Sequence, residues 1–306
     1  MAIRTYLAVL GVALALPAAL VAAPAPVTAG CQSTVTGDLR LHTLDSRVFQ
    51  NTRTIRVLVP ADYDAPANAS RRYPVLYLLD GQNLFDACLS DVSHREWGVD
   101  ETVYRLVRER RLPPLIVVGI DHAGIQRGHE FLPYPDSSGD PGAAHPVGRH
   151  FPDFVIDEVM PLVDGHYRTL KGHHNTGIGG SSYGGVAALY ALLSKPWVFG
   201  FGLVESPTLW VGMGQLARDT GPLAALPERV FVGFGGREIS DPQAKALMDR
   251  LLGTVESNFR AAGYDDRRFR YVLDPEAAHN EDAWAKRLPD ALTFLFGDWK
   301  EPARQP

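Results

Sequence analysis

Cysteine is scarce in this chain: of 306 residues only Cys31 and Cys88 carry a thiol. That excludes a small scaffold stapled by several disulfides, and it excludes a zinc module built from paired cysteines. Runs of one charge sign are also missing. Thirty Lys and Arg are interspersed with 35 Asp and Glu, for a formal net charge of -5, so no basic tract suited to nucleic acid or an anionic membrane is present. The chain lacks internal repeats, low-complexity blocks and any Pro/Gly/Ser linker long enough to divide it. With 45% hydrophobic residues it can bury a sizeable core, and residues 30 to 306 read as a single domain.

One long apolar run stands at the N-terminus. Arg4 is followed by "TYLAVLGVALALPAALVAAPAPV", broken by Pro17, and then by Val27-Thr28-Ala29 in the spacing a signal peptidase accepts. Residues 1 to 29 therefore read as a secretory signal, and the protein as exported to a periplasm or secreted, with an uncleaved anchor helix the alternative that the prolines clustered at its end speak against. Cys31, directly after "TAG", has two fates open to it. It is either a lipid-modified anchor, although Thr28 stands where such sites usually carry an aliphatic residue, or half of a disulfide with Cys88 in an oxidising compartment.

The mature chain opens with "LRLHTLDSRVF" and the alternating "RTIRVLVP", which predict two antiparallel strands. The rhythm then changes to short, nearly continuous apolar runs: "PVLYLLD", "LIVVGID", "NTGIGG", "FGFGLVES", "RVFVGFGG" and "FRYVL". Such runs suit strands buried on both faces of a parallel sheet. Helical patterns lie between them. In one, Asp241 is the expected N-cap, Pro242 the first residue and Gly263 the stop, with Leu247, Met248, Leu251, Leu252, Val255 and Phe259 on its apolar face. Alternating strands and helices predict an α/β sandwich. The stretch from Gln126 to His150, rich in Gly, Pro, Asp and His, reads as a surface loop able to shape a cleft.

"GIGGSSYGGVAALYAL" crowds five glycines and two serines into one strand-to-helix junction. Gly180-Ser181-Ser182-Tyr183-Gly184 within it fits G-x-S-x-G, a turn that lifts a serine hydroxyl to the carboxyl end of a sheet. That frame makes Ser182 the candidate nucleophile. A serine needs a base to take its proton, and a carboxylate to hold that base. His279, in a short loop between the last apolar run and the final helix, is the candidate base. Glu238, just past "RVFVGFGGR", is the candidate acid, with Asp241 the alternative. His173 and His174 precede the elbow strand, on the wrong side of the sheet for the base, while His145 and His150 belong to the loop, and all four read as solvated turn residues. A zinc site built from these is the rival idea, and no H-E-x-x-H or close Cys/His pattern supports it. An oxyanion needs N–H donors, expected from Tyr183 after the nucleophile and from Gln82 in the "LLDGQNLF" turn.

Several motifs in order resemble the esterase family of the α/β-hydrolase superfamily that includes enterochelin esterase-like proteins, feruloyl and acetyl-xylan esterases, S-formylglutathione hydrolases and mycolyltransferases. They are "YPVLYLLDGQNLFD", "EWGVDETVYRLV", "IVVGID" with Arg127 and Glu130 soon after, "GGSSYGG", "SPTLW" and "HNEDAWAKRLPDALTFLF". The resemblance, from about Arg53 to Trp299, implies a three-layer α/β-hydrolase sandwich without a large cap. It also implies ester hydrolysis through an acyl-serine, and neither metal nor organic cofactor. Carried over residue by residue, it makes Ser182, His279 and Glu238 the catalytic set and Gln82 and Tyr183 the oxyanion donors. It puts Trp97, Arg127, Glu130 and Trp210 near the substrate cleft or bracing it. Tyr183 departs from the Met of many relatives, and Cys88 enlarges its loop. The implied partner is a small-molecule or glycan ester, and a membrane only through a lipid on Cys31. An acyltransferase of the same fold, or a noncatalytic envelope protein binding a siderophore or glycan, are the competing expectations.

Overall fold

A computed structural model describes residues 30–90, 94–136, 140, 142–221 and 227–300; the signal expected over residues 1 to 29 lies outside them. The sheet and its helices belong to the unit that begins at Gln32. Cys31 and Cys88 are each disulfide-bonded, so neither is a free thiol.

Eight strands form one sheet in the order β1-β2-β4-β3-β5-β6-β7-β8. They are β1 (Leu39–Ser46), β2 (Asn51–Leu58), β3 (Val75–Leu79), β4 (Ile116–Ile120), β5 (Thr176–Ser181), β6 (Phe201–Glu205), β7 (Arg229–Gly235) and β8 (Phe269–Asp274). β1 pairs antiparallel with β2 and β2 antiparallel with β4, while every other neighbouring pair is parallel. This is the mostly parallel sheet with antiparallel N-terminal strands that the apolar runs predict.

The continuous runs serve two cores because successive side chains leave a strand on opposite faces. From β3, Val75, Tyr77 and Leu79 enter the core covered by the Tyr183–Ser194 and Pro242–Ala261 helices. Leu76 and Leu78 enter the other, beneath the Val99–Arg108 and Glu281–Phe296 helices. Asp241 caps the Pro242–Ala261 helix by accepting from the Ala244 N–H at 2.7 Å, and Gly263 follows that helix with φ +88°. Leu247 departs from expectation: it is 40% exposed, and Met248, Leu252, Val255 and Phe259 carry the burial.

The Gln126–His150 stretch is less of a surface loop than its composition suggests. It contains a short helix, Arg127–Phe131, and buries Glu130, Phe131, Leu132 and Ala143. Glu130 is held there by charge. Its carboxylate accepts from Arg53 Nη2 at 2.7 Å and from Asn51 Nδ2 at 2.6 Å, with both ionic side chains at most 2% exposed. The Arg53 guanidinium also lies over the Phe154 ring at 4.6 Å. Removing one partner of such a pair strands the other charge in the core. Glu130→Ala is therefore expected to lower unfolding stability by about 3–5 kcal/mol, read from urea denaturation. A loss below about 1 kcal/mol, the range of an exposed pair, would show that Arg53 regains water and that the pair is not a structural anchor.

Candidate active site

The junction after β5 is crowded because three segments converge on it. Ser182 sits between β5 and the Tyr183–Ser194 helix with φ 57° and ψ -123°, a strained backbone for a residue bearing a Cβ. Its N–H donates to the Glu205 carbonyl at the end of β6 (3.0 Å), and its own carbonyl accepts from the Val186 N–H (3.1 Å). A Cβ on Gly180 would come within 2.8 Å of the Gly184 backbone. One on Gly184 would meet Asp80 Oδ2, and one on Gly185 the Glu205 carbonyl, each at 2.8 Å. The glycines are there because the helix begins almost against its neighbours.

Two other strand ends bring in the imidazole and its carboxylate. A Cβ on Gly235 would lie 2.4 Å from the Ala277 carbonyl and one on Gly236 2.5 Å from the Pro275 carbonyl, so the turn after β7 presses directly on the loop after β8. Glu238 Oε2 thereby meets His279 Nδ1 at 2.8 Å. Glu238 Oε1 accepts from the Gly235 N–H at 2.6 Å and from the Ser206 hydroxyl at 2.5 Å. That hydroxyl in turn accepts from Trp284 Nε1 at 2.8 Å. The carboxylate is 1% exposed and its imidazole partner 36% exposed, so Glu238 is fixed inside while His279 reaches the surface of the site. The Trp284 ring stands edge-on to the imidazole, with centroids 5.2 Å apart. The Asp241 carboxylate is occupied as a helix cap.

Ser182 and His279 both line two cavities. The first, about 330 Å³, has Trp210, Phe234, Ile239 and Met248 in its wall with Tyr183 and Thr208. The second, about 270 Å³, is more polar and is lined by Asp80, Asn83, His122, Arg127 and Glu281. The Ser182 hydroxyl pairs with Thr208 Oγ1 at 3.4 Å. Arg127 is held by both Asp80 oxygens, at 2.7 and 2.8 Å. Burial pulls its pKa down, but the Asp80 charge more than offsets this and holds it above the ordinary guanidinium value. Burial also pushes the Glu281 carboxyl up.

Arg127 and Trp210 thus stand in the cavity walls; Trp97 and Glu130 do not. Trp97 is buried with its ring 5.7 Å from that of Trp284, behind the imidazole, and Glu130 lines a separate cavity with Phe49 and His150. Tyr183 opens its helix, where the first backbone N–H groups have no intrahelical acceptor. Gln82 lies in the 3-10 turn Gly81–Asn83, reached through Asp80 at φ 60°, and its side-chain oxygen accepts from the His122 N–H at 3.2 Å.

The support around Glu238 comes from residues that no catalytic sequence motif marks. Glu205 and Arg287 form a buried pair in which Oε2 accepts from Nε at 2.9 Å and from Nη2 at 2.7 Å. Complete burial pushes the Glu205 carboxyl up to about 7 against the pull of Arg287. Glu205 and Ser206 sit in the quoted "FGFGLVES", and Arg287 in "DAWAKRLPDAL". Their only signal in sequence is a carboxylate at a strand end and an arginine inside an otherwise apolar helix face.

Comparison with known proteins agrees with this architecture. A Bacillus subtilis protein, "Uncharacterized protein YbbA", is 22% identical over 85% of this chain and 97% of its own length. The "Iron(III) enterobactin esterase" of Escherichia coli is 29% identical over 70% of this chain, which spans 49% of that protein. The crystal structure of an IroE-like serine hydrolase from Shewanella oneidensis superposes with a TM-score of 0.69 at 22% identity, over 86% of this chain and 82% of the other. The family described as putative esterase matches residues 46–295, and the chain belongs to that esterase family of α/β-hydrolase fold.

Proposed function

We propose that this protein is an exported serine esterase in which Ser182 is the nucleophile, His279 the general base and acid, and Glu238 the carboxylate that orients it. The observation that carries the reading is the 2.8 Å contact between His279 Nδ1 and the buried Glu238 Oε2, in a cavity wall that also holds Ser182. With Nδ1–H committed to Glu238, the lone pair on Nε2 remains for the serine proton. Ser182 rotates from Thr208 toward the imidazole as substrate enters, since such contacts tighten only in the substrate complex.

In the first half-reaction Ser182 Oγ attacks the ester carbonyl and its proton passes to His279 Nε2. The oxyanion is received by the Tyr183 and Gln82 backbone N–H groups. Collapse of the tetrahedral intermediate expels the alcohol, which takes the proton from His279 and leaves an acyl-serine. Water then attacks the acyl carbonyl, giving its proton to His279, and the acid departs as Ser182 Oγ recovers the proton.

The wall composition supports an uncharged ester as substrate. Among the described lining residues the charges are three carboxylates, Asp80, Glu238 and Glu281, and one guanidinium, Arg127, already paired with Asp80. The apolar cavity formed by Trp210, Phe234, Ile239 and Met248 would take the hydrophobic part of the substrate.

Ser182→Ala should lower p-nitrophenyl butyrate turnover by at least about 10³-fold and abolish covalent labelling by a fluorophosphonate, with the circular dichroism spectrum unchanged. Wild-type turnover in that variant would sink the mechanism. Glu238→Gln should lower kcat by about 10³–10⁴-fold. Asp241→Asn, which keeps a good cap, should leave both turnover and stability near wild type; the reverse order of effects would transfer the acid role to Asp241. Comparison of neutral butyrate and anionic hemisuccinate esters of one phenol should favour the neutral one by about tenfold or more in kcat/KM, each tenfold being about 1.4 kcal/mol. A preference for the anion would remove the argument from wall charge.

A further inference from the structure

At the opposite end of the sheet the chain gathers three side chains with metal-binding chemistry. His173 and His174 form the turn that leads into β5, and Glu228 directly precedes β7. Both segments stand at the amino ends of parallel strands. Ser182 lies beyond the carboxyl end of the six-residue β5, roughly 20 Å away at about 3.3 Å per residue. Nothing in the proposed hydrolysis uses these three residues.

Their geometry is convergent. His174 Nδ1 lies 2.8 Å and His173 Nε2 3.1 Å from one atom, Glu228 Oε1. The two imidazole rings are 3.8 Å apart between centroids, and all three potential ligand atoms lie within 4.8 Å of one another. In a tetrahedral zinc site with bonds near 2.0–2.2 Å, neighbouring ligand atoms are about 3.3 Å apart. Two of the three separations are already close to that.

The backbones carrying these side chains are held independently of any ion. The Glu228 N–H donates to the Gly200 carbonyl (2.6 Å) and the Gly200 N–H to the Thr176 carbonyl (2.9 Å). A Cβ on Gly200 would strike the His173 carbonyl at 2.2 Å, so the two segments touch through a glycine. Trp299 Nε1 donates to the His174 carbonyl at 3.1 Å. When both imidazoles are protonated the cluster is a pair of ion pairs with one carboxylate. With neutral imidazoles, two nitrogen lone pairs and an anionic oxygen face the same point. That is a donor set for zinc and its neighbours nickel and copper, and not for magnesium or calcium, which take oxygen ligands. His173 and Glu228 are partly exposed and His174 is 70% exposed, so an ion has access and water can complete the coordination.

We infer that His173, His174 and Glu228 form a binding site for one divalent transition-metal ion of the zinc class, which joins the turn before β5 to the segment before β7. Sequence spacing hides it because Glu228 is more than fifty residues from the histidines.

The test is calorimetric titration of Zn²⁺ into the EDTA-treated, dialysed full chain at pH 7.5, beside a His173→Ala/His174→Ala double variant. Wild type should bind one equivalent that the double variant lacks or binds more than about tenfold more weakly. Zn²⁺ should also raise the unfolding midpoint of wild type and not of the variant. Should circular dichroism show the double variant unfolded, Glu228→Gln, which keeps the volume and one acceptor, should show the same loss. Equal zinc binding in wild type and a folded variant would assign the ion to other groups and overturn the inference, as would no binding by wild type.

Discussion

The candidate site depends on the end of β6, where Glu205 and Ser206 stand at the meeting point of three loops. The Glu205 carbonyl accepts the Ser182 N–H and so holds the strained turn closed. The Ser206 hydroxyl donates to Glu238 and accepts from Trp284. Behind both lies the buried pairing of Glu205 with Arg287, which ties β6 to the final helix. A buried ion pair adds little net stability, because desolvation offsets most of its attraction. Its effect here is positional: the carboxylate would be uncompensated anywhere but against Arg287, so the last helix has one setting, and the Trp284 ring with it.

That setting explains how a half-exposed histidine acquires a defined orientation. His279 lies on a six-residue stretch between β8 and the final helix, and a short loop alone does not fix a ring. Three things do: the contact of Nδ1 with Glu238, the edge of Trp284, and the glycines at 235 and 236 that let the two loops approach. Trp97, expected near the cleft or bracing it, packs on Trp284 one layer back. The Asp80–Arg127 pair plays a similar part on the polar side, where the absence of a Cβ on Gly184 leaves room for the Asp80 carboxylate.

Much of this was legible beforehand. Six of the eight strands, β3 to β8, lie in the predicted apolar runs, because a strand inside a parallel sheet covered on both faces is apolar nearly throughout, and β1 and β2 lie in the two segments predicted to pair antiparallel; both signatures are local. The elbow was legible for the same reason: crowding at a strand-to-helix turn forces glycines at adjacent positions. The Asp241 cap and the Gly263 stop follow from backbone groups within a few residues. The burial within the Gln126–His150 stretch is not legible locally, because its polar composition outweighs the few residues, Glu130 and Phe131 among them, that bury themselves on distant partners.

By itself, then, the sequence determined the order of strands and helices, the serine at the turn and the short set of residues from which its partners would come, since each of these is written in neighbours along the chain. Tertiary structure alone decided that Glu238 faces His279 while Asp241 caps a helix, that Glu130 belongs to Arg53, that Glu205 holds Arg287, and that Glu228 meets His173 and His174. Each of these is a choice among charged groups separated by up to 82 positions. Burial and close approach settle such choices, and neither is encoded in local spacing.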